Sequence, residues 1–135
     1  MYLCNETITV YNKQINEKKF NQYFPTVLKG IHWFGTEQVN VSNSGLIGAK
    51  MYTLRIPESV YTSGKEFVKP KAYQKGDHEK VFTFDEGDII VRGEVVIPDA
   101  TPSKLQQDYD DVITIISVTD NRMVPNAPHW RVVGK

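Results

Sequence analysis

The strongest constraint on this chain is the texture of its last third, where runs dense in β-branched residues are separated by turn chemistry. Ile89-Ile90-Val91-Arg92 follows the turn Asp85-Glu86-Gly87-Asp88, Val112 to Val118 reads Val-Ile-Thr-Ile-Ile-Ser-Val, and His129 to Gly134 reads His-Trp-Arg-Val-Val-Gly. β-Branched side chains are stiff at χ1 and fit a pleated surface, so these runs favour strands over helices. The expected strands are Ile89 to Val96, Asp111 to Val118 and His129 to Gly134. Asp120 to Pro128 joins the last two as a loop stiffened by Pro125 and Pro128.

The rest of the chain extends the pattern. Thr7 to Tyr11 alternates, with Ile8 and Val10 on one face and Thr7, Thr9 and Tyr11 on the other, which predicts a half-buried strand. Asn12 to Asn21 is polar and charged and reads as a solvated loop. Tyr23 to Phe34 is aromatic and β-branched and predicts a long strand, with Pro25 near its start where a missing ladder donor does least harm. Within Gly35 to Lys50, read as a loop, Gln38 to Val41 is a candidate short edge strand and Ser42-Asn43-Ser44-Gly45 is turn chemistry. Met51 to Pro57 places Tyr52, Leu54 and Ile56 on one face. Glu58 to Lys80 is a long polar loop with one helical turn expected at Pro70 to Gln74, and Val81 to Phe84 is a short strand. Thr101 as N-cap with Pro102 at the first helical position predicts a helix over Pro102 to Tyr109. About seven strands with regular turn signals imply a mainly β fold: a small antiparallel β-barrel or sandwich with long loops and at most one short helix. A length of 135 residues suits one such domain over 1–135.

Composition narrows the function classes. Sixteen basic residues balance sixteen acidic ones, so there is no general attraction to nucleic acid or anionic membrane. The single cysteine, Cys4, cannot form an intrachain disulfide, which points to a reduced protein. The N-terminus lacks the charged-then-apolar pattern of a secretion signal, and no apolar run approaches the roughly 20 residues that cross a bilayer.

No constellation for chemistry emerges. Cys4, His32, His78 and His129 are the soft or imidazole ligands, and none stands at the short spacing that lets one turn or hairpin supply two ligands. A site gathered from distant strands by Cys4, His32 and His129 is the remaining option. Ser63-Gly64-Lys65 lacks the upstream glycine of a phosphate loop. The carboxylates Asp85, Glu86, Asp108, Asp110 and Asp111 fall at predicted turns and strand ends, where Asp satisfies local backbone donors. The expectation is a protein that is not an enzyme and holds no cofactor or metal. Phe67 and Tyr73 stand in the long loop, where no core face is expected, and are candidate partner anchors; loop packing is the alternative. Lys13, Lys18, Lys19, Lys65, Lys69, Lys71 and Lys75 also lie on expected loops, either to solubilise the surface or to touch phosphates.

Gly87-Asp88-Ile89-Ile90-Val91-Arg92-Gly93-Glu94, then Ile113 through Asn121-Arg122, then His129-Trp130-Arg131-Val132 resembles the end of phage head–tail joining and head-closure proteins. The whole chain also resembles small uncharacterised phage and prophage proteins of Gram-positive hosts, through Leu3-Cys4-Asn5-Glu6-Thr7-Ile8-Thr9-Val10-Tyr11-Asn12 and Asn126-Ala127-Pro128-His129-Trp130-Arg131-Val132-Val133-Gly134. The resemblance implies a structural subunit of a virion neck, made in the bacterial cytoplasm and residing at the head–tail interface. Its implied partners are copies of itself in a ring, portal or adaptor proteins and tail proteins, with weak non-specific contact to DNA in a channel. Lys65, Lys69, Lys71 and Lys75 would join Phe67 and Tyr73 in partner contacts. The alternatives are a tail terminator subunit and, from the residues alone, a small nucleic-acid-binding barrel using Tyr11, Tyr23 and Trp33.

Overall fold

A computed structural model of the chain describes residues 6–15, 21–42, 45–97 and 100–135, and gives no side chains for 36–50. Cys4, Lys18, Lys19 and the turn residues Asn43 and Ser44 lie outside the described residues. The elements are β1 Glu6–Ile15, β2 Asn21–Ser42, β3 Gly45–Pro57, β4 Glu66–Phe67, α1 Pro70–Lys75, β5 Val81–Phe82, β6 Ile89–Arg92, α2 Pro102–Asp108, β7 Val112–Asn121 and β8 His129–Gly134.

The fold is mainly β, as its strand-rich sequence requires. Six antiparallel strands hydrogen-bond in the order β1-β2-β3-β8-β7-β6, and β6 returns to β1, so the bonds run round a closed ring. Closure removes the strand edges that a neutral protein would otherwise expose. Among the described residues there are two short helices where at most one was expected. Both begin at the prolines singled out in the sequence, and Thr101 caps α2 by accepting from the Lys104 N–H at 3.2 Å.

Two strands turn corners, and an extra residue marks each corner. β2 pairs with β1 as far as Ile31 and with β3 from His32 onward. At that switch Glu6 faces Ile31 but Thr7 faces Lys29, leaving Gly30 unmatched with φ +97°. β7 pairs with β6 up to Thr114 and with β8 from Ile115, and Ile116 is the extra residue there. Bulges bend a strand and raise its twist, which lets one strand serve both halves of a closed sheet. A Cβ at the Gly30 conformation is strained, so Gly30→Val is expected to cost at least about 1–2 kcal/mol and to lower the melting temperature by several degrees. An unchanged thermal melt would show that the bend does not depend on glycine.

The ring interior is filled by alternate residues: Ile8 and Val10, Leu28 and Ile31, Leu54 and Ile56, Ile90, Ile113 and Ile115, and Trp130 and Val132. One end is closed by aromatic rings. Phe67, Phe82, Phe84 and Trp130 meet with centroid separations of 4.7 to 5.7 Å. Over them lies the Arg122 guanidinium, 5.0 Å from the Phe67 ring centre and 5.1 Å from that of Trp130. Asp120 holds that guanidinium at 2.7 Å.

The stretch Glu58 to Lys80, expected as a long polar loop, is therefore structured. β4 pairs in parallel with β5, Tyr61 bridges to Lys29, and α1 packs beside β1. The Gln74 side chain acts as a substitute strand partner: it accepts from the Ile15 N–H at 3.0 Å and donates to the Lys13 carbonyl at 2.7 Å. That contact covers the edge β1 exposes past its pairing with β6, which ends at Tyr11.

β1 is buried on both faces, where one was expected. Thr9 and Tyr11, on its outer side, have no exposed area. Residues after β6 cross over them: Tyr11 Oη donates to the Val95 carbonyl, the Val95 N–H donates to Thr9 Oγ1 at 2.9 Å, and Ala100 and Leu105 complete a second small core. This crossing also ends β6 at Arg92 instead of the expected Val96. Asn12, assigned to a solvated loop, is buried as well, because β1 continues to Ile15.

Gly35 to Lys50, expected as a loop with a short edge strand, is a hairpin. β2 and β3 pair without a break from His32 opposite Arg55 to Ser42 opposite Gly45. β8 covers β3 only from Tyr52 onward. The segment from Thr36 opposite Met51 to the turn is thus a two-stranded arm leaving the ring. At ~3.3 Å per residue it reaches roughly 20 Å.

Candidate assembly surfaces

The arm is a two-stranded ribbon outside the closed ring. Among the described residues each of its strands pairs only with the other, so both outer edges present unpaired N–H and C=O groups. A two-stranded ribbon is marginal alone, because it has no layer against which to bury a face. Such an edge is a template for a third strand from another chain.

A second surface lies on the outer side of β2, β3 and β8. Since Ile31, Trp33, Leu54, Ile56, Trp130 and Val132 point inward, their alternates point out. Cross-strand register brings His32 beside Arg55 and Arg55 beside Arg131. His32, Phe34, Thr53, Arg55, His129 and Arg131 line a shallow depression of about 170 Å³. The His32 and Phe34 rings lie 5.0 Å apart. A larger open depression of about 610 Å³ adjoins it, lined by Arg55, Glu58, Ser59, Asn126, Pro128 and His129 among others. The His129 ring is held by its Nδ1, 2.7 Å from the Ala127 carbonyl.

The residues singled out from sequence take other places. Tyr73 is 1% exposed, and burial raises the pKa of its hydroxyl well above its ordinary value. Phe67 is half-buried in the aromatic plug. Both therefore serve loop packing in this fold, because the segment that carries them folds back onto the ring. Lys65 donates to the Pro25 carbonyl and to Thr26 Oγ1, both at 2.9 Å, and burial lowers its pKa. Lys69, Lys71 and Lys75 are exposed around α1. Of the aromatics named for nucleic-acid stacking, Tyr11 and Trp33 are buried and Tyr23 is half-buried. His78 stacks on Phe24 at 3.6 Å. Among the described residues no three His, Cys, Asp or Glu side chains gather as they would around a metal ion, and no helix is long and apolar enough to cross a membrane.

One carboxylate is deeply buried. Asp88 is 1% exposed and accepts from Asn12 Nδ2 at 2.9 Å, the Lys13 N–H at 3.0 Å and the Asp85 N–H at 3.2 Å. Burial pushes its pKa up to about 6, and the three donors oppose that rise. Asn12 also donates to the Thr83 carbonyl at 2.6 Å. The cluster ties β1 to the Asp85–Asp88 turn and to the residues after β5. Its role is to fix the chain where three segments meet.

Arg55 and Arg131 escaped sequence reasoning, because only strand register gathers them. Their positions one residue from Leu54 and Trp130 were the available signal.

A family model described as a family of unknown function (DUF6751) matches residues 3–135. No curated protein and no solved structure matches the chain.

Proposed function

We propose, for a chain that belongs to a family of unknown function (DUF6751), that it is a structural subunit of a bacteriophage neck, acting in a head–tail connector or closure ring through protein–protein contacts. The observation that carries this reading is the arm: a stiff closed sheet extends a β-ribbon with two open edges, which suits a part that joins neighbours by strand addition. The packing roles of Asp88 and Tyr73, the strongly perturbed titratable groups among the described residues, support it further. The resemblance of the Gly87 to Glu94, Ile113 to Arg122 and His129 to Val132 segments to head–tail joining proteins supplies the virion context.

Two measurements test the proposal. Disrupting the gene in its phage or prophage should yield filled heads and free tails that fail to join, seen by electron microscopy of the lysate. Intact tailed particles from the disrupted genome would refute the neck assignment. Separately, replacing residues 36–51 by an Asn-Gly turn should leave thermal stability close to wild type, because Gly35 and Tyr52 then flank a two-residue hairpin turn and the pairing of β3 with β8 from Tyr52 onward is kept. It should abolish incorporation into particles, scored by mass spectrometry of purified virions.

A further inference from the structure

Two patches of unlike charge lie on opposite sides of the ring. On the outer side of β2, β3 and β8, positions 32–34, 53–57 and 129–133 hold Arg55, Arg131, His32 and His129, and the Glu6 carboxylate at the start of β1 interacts electrostatically with His32. The larger depression at the edge of this face adds Glu58. The described residues 94–97 and 100–111, which pack on the outside of β1 and β6, expose Glu94, Asp108, Asp110 and Asp111 and include one basic side chain, Lys104. Asp111 also stands 4.0 Å from Arg92, which is engaged by Glu6 at 2.7 Å, so Glu94, Asp108 and Asp110 are the more available acids. Each face carries one exposed apolar residue, Phe34 on the basic side and Val96 on the acidic side.

The strand order places these faces apart. Round the ring β1 lies three strands from β8, and β6 lies three strands from β3. The two faces thus point in opposite directions, and one molecule cannot bring them together. From this complementarity we infer that the basic face docks the acidic segment of a second copy, with Arg55 and Arg131 facing Asp108 and Asp110 and with Phe34 against Val96. The contact is head-to-tail, so its repetition gives a ring or an open filament, depending on the rotation per subunit. Charge complementarity of this kind sets orientation and register, and the apolar pair supplies desolvated area at the centre. The inference rests on the reading of the chain as an assembly subunit, and it names the lateral contact, which is distinct from the arm.

Light scattering and sedimentation of the full chain test it. At low salt the wild type should show a mass that rises with concentration above the 15.4 kDa monomer. That rise should vanish at ~1 M salt, where the screening length is about 3 Å. R55E/R131E and D108K/D110K should each self-associate at least about tenfold more weakly. An equal mixture should recover association, because one partner keeps the native basic face and the other the native acidic face. The D108K/D110K changes are at exposed helix-end and loop positions, so that arm does not depend on the Arg55 variant folding. A wild type that stays monomeric at every concentration overturns the inference. So do variants that assemble like wild type, although the subunit reading then stands and assembly runs through another face. Binding of a single-stranded oligonucleotide that R55E/R131E abolishes, with no self-association, overturns both readings.

Discussion

Trp130→Ala is expected to lower stability by about 3–5 kcal/mol, the range for removing a large buried aromatic. Domains of this kind are typically stable by only about 5–15 kcal/mol, so much of the folded state's margin would go. Trp130 is 3% exposed and touches the Phe67 ring at 4.7 Å and the Phe84 ring at 5.6 Å, with Arg122 stacked over it. Removing it opens one end of the ring and leaves Phe67 and Arg122 without the surface they rest on. Urea denaturation should show a midpoint lower by roughly 2 M, at a slope near 2 kcal/mol per molar. Trp130→Phe should cost much less, because it keeps an aromatic ring in the plug. It also removes an indole Nε1 that has no acceptor among the described residues. A loss below about 1 kcal/mol for the alanine variant would mean that the plug does not hold the ring closed.

The second large effect is the pH dependence set by Asp88. Its folded pKa, about 6, lies above its ordinary value of 3.8. Between those values the folded protein keeps a proton that the unfolded chain has released, so stability falls as pH rises through that window. The Asp88 contribution is largest below about pH 4 and levels off above about pH 6, and at 1.36 kcal/mol per pKa unit the change is up to about 3 kcal/mol. Asp88→Ala removes this dependence and strands the donors of Asn12, Lys13 and Asp85, at a cost of about 1–3 kcal/mol for a buried unpaired group. The advantage of wild type over the variant should therefore be largest near pH 4 and shrink toward pH 7. Glu6 and Asp120, whose pKa values are lowered by Arg92 and Arg122, give the opposite slope, but both proteins share it and it cancels in the difference. Denaturation at three pH values checks this, and parallel profiles would show that Asp88 is not the group responsible.

Local signals were legible wherever one residue's neighbours along the chain decide its state. His129–Gly134 is a strand with the bounds expected from its alternation, and β7 differs from expectation by one residue at its start and three at its end. Thr101 and Pro102 start a helix because cap geometry needs only the next three residues. The candidate sites were less legible. Phe67 and Tyr73 looked available because their segment is polar and long. Phe67 packs against Phe82, Phe84 and Trp130, and Tyr73 lies on α1, which folds back onto β1; no local pattern ties either residue to these partners.

What the amino-acid order determined alone is the β character, the turn and cap positions, and which face of each strand is apolar, since side-chain period and backbone preference act within a few residues. Tertiary structure alone decided that the ring bends at Gly30 and Ile116, and that residues 93–97 and 100–109 bury the second face of β1. It also decided that residues 36–51 stand out as a paired arm and that Arg55 and Arg131 share one face. Each of these depends on pairing between residues far apart in the chain, whose free energy arises only when both partners are present in register.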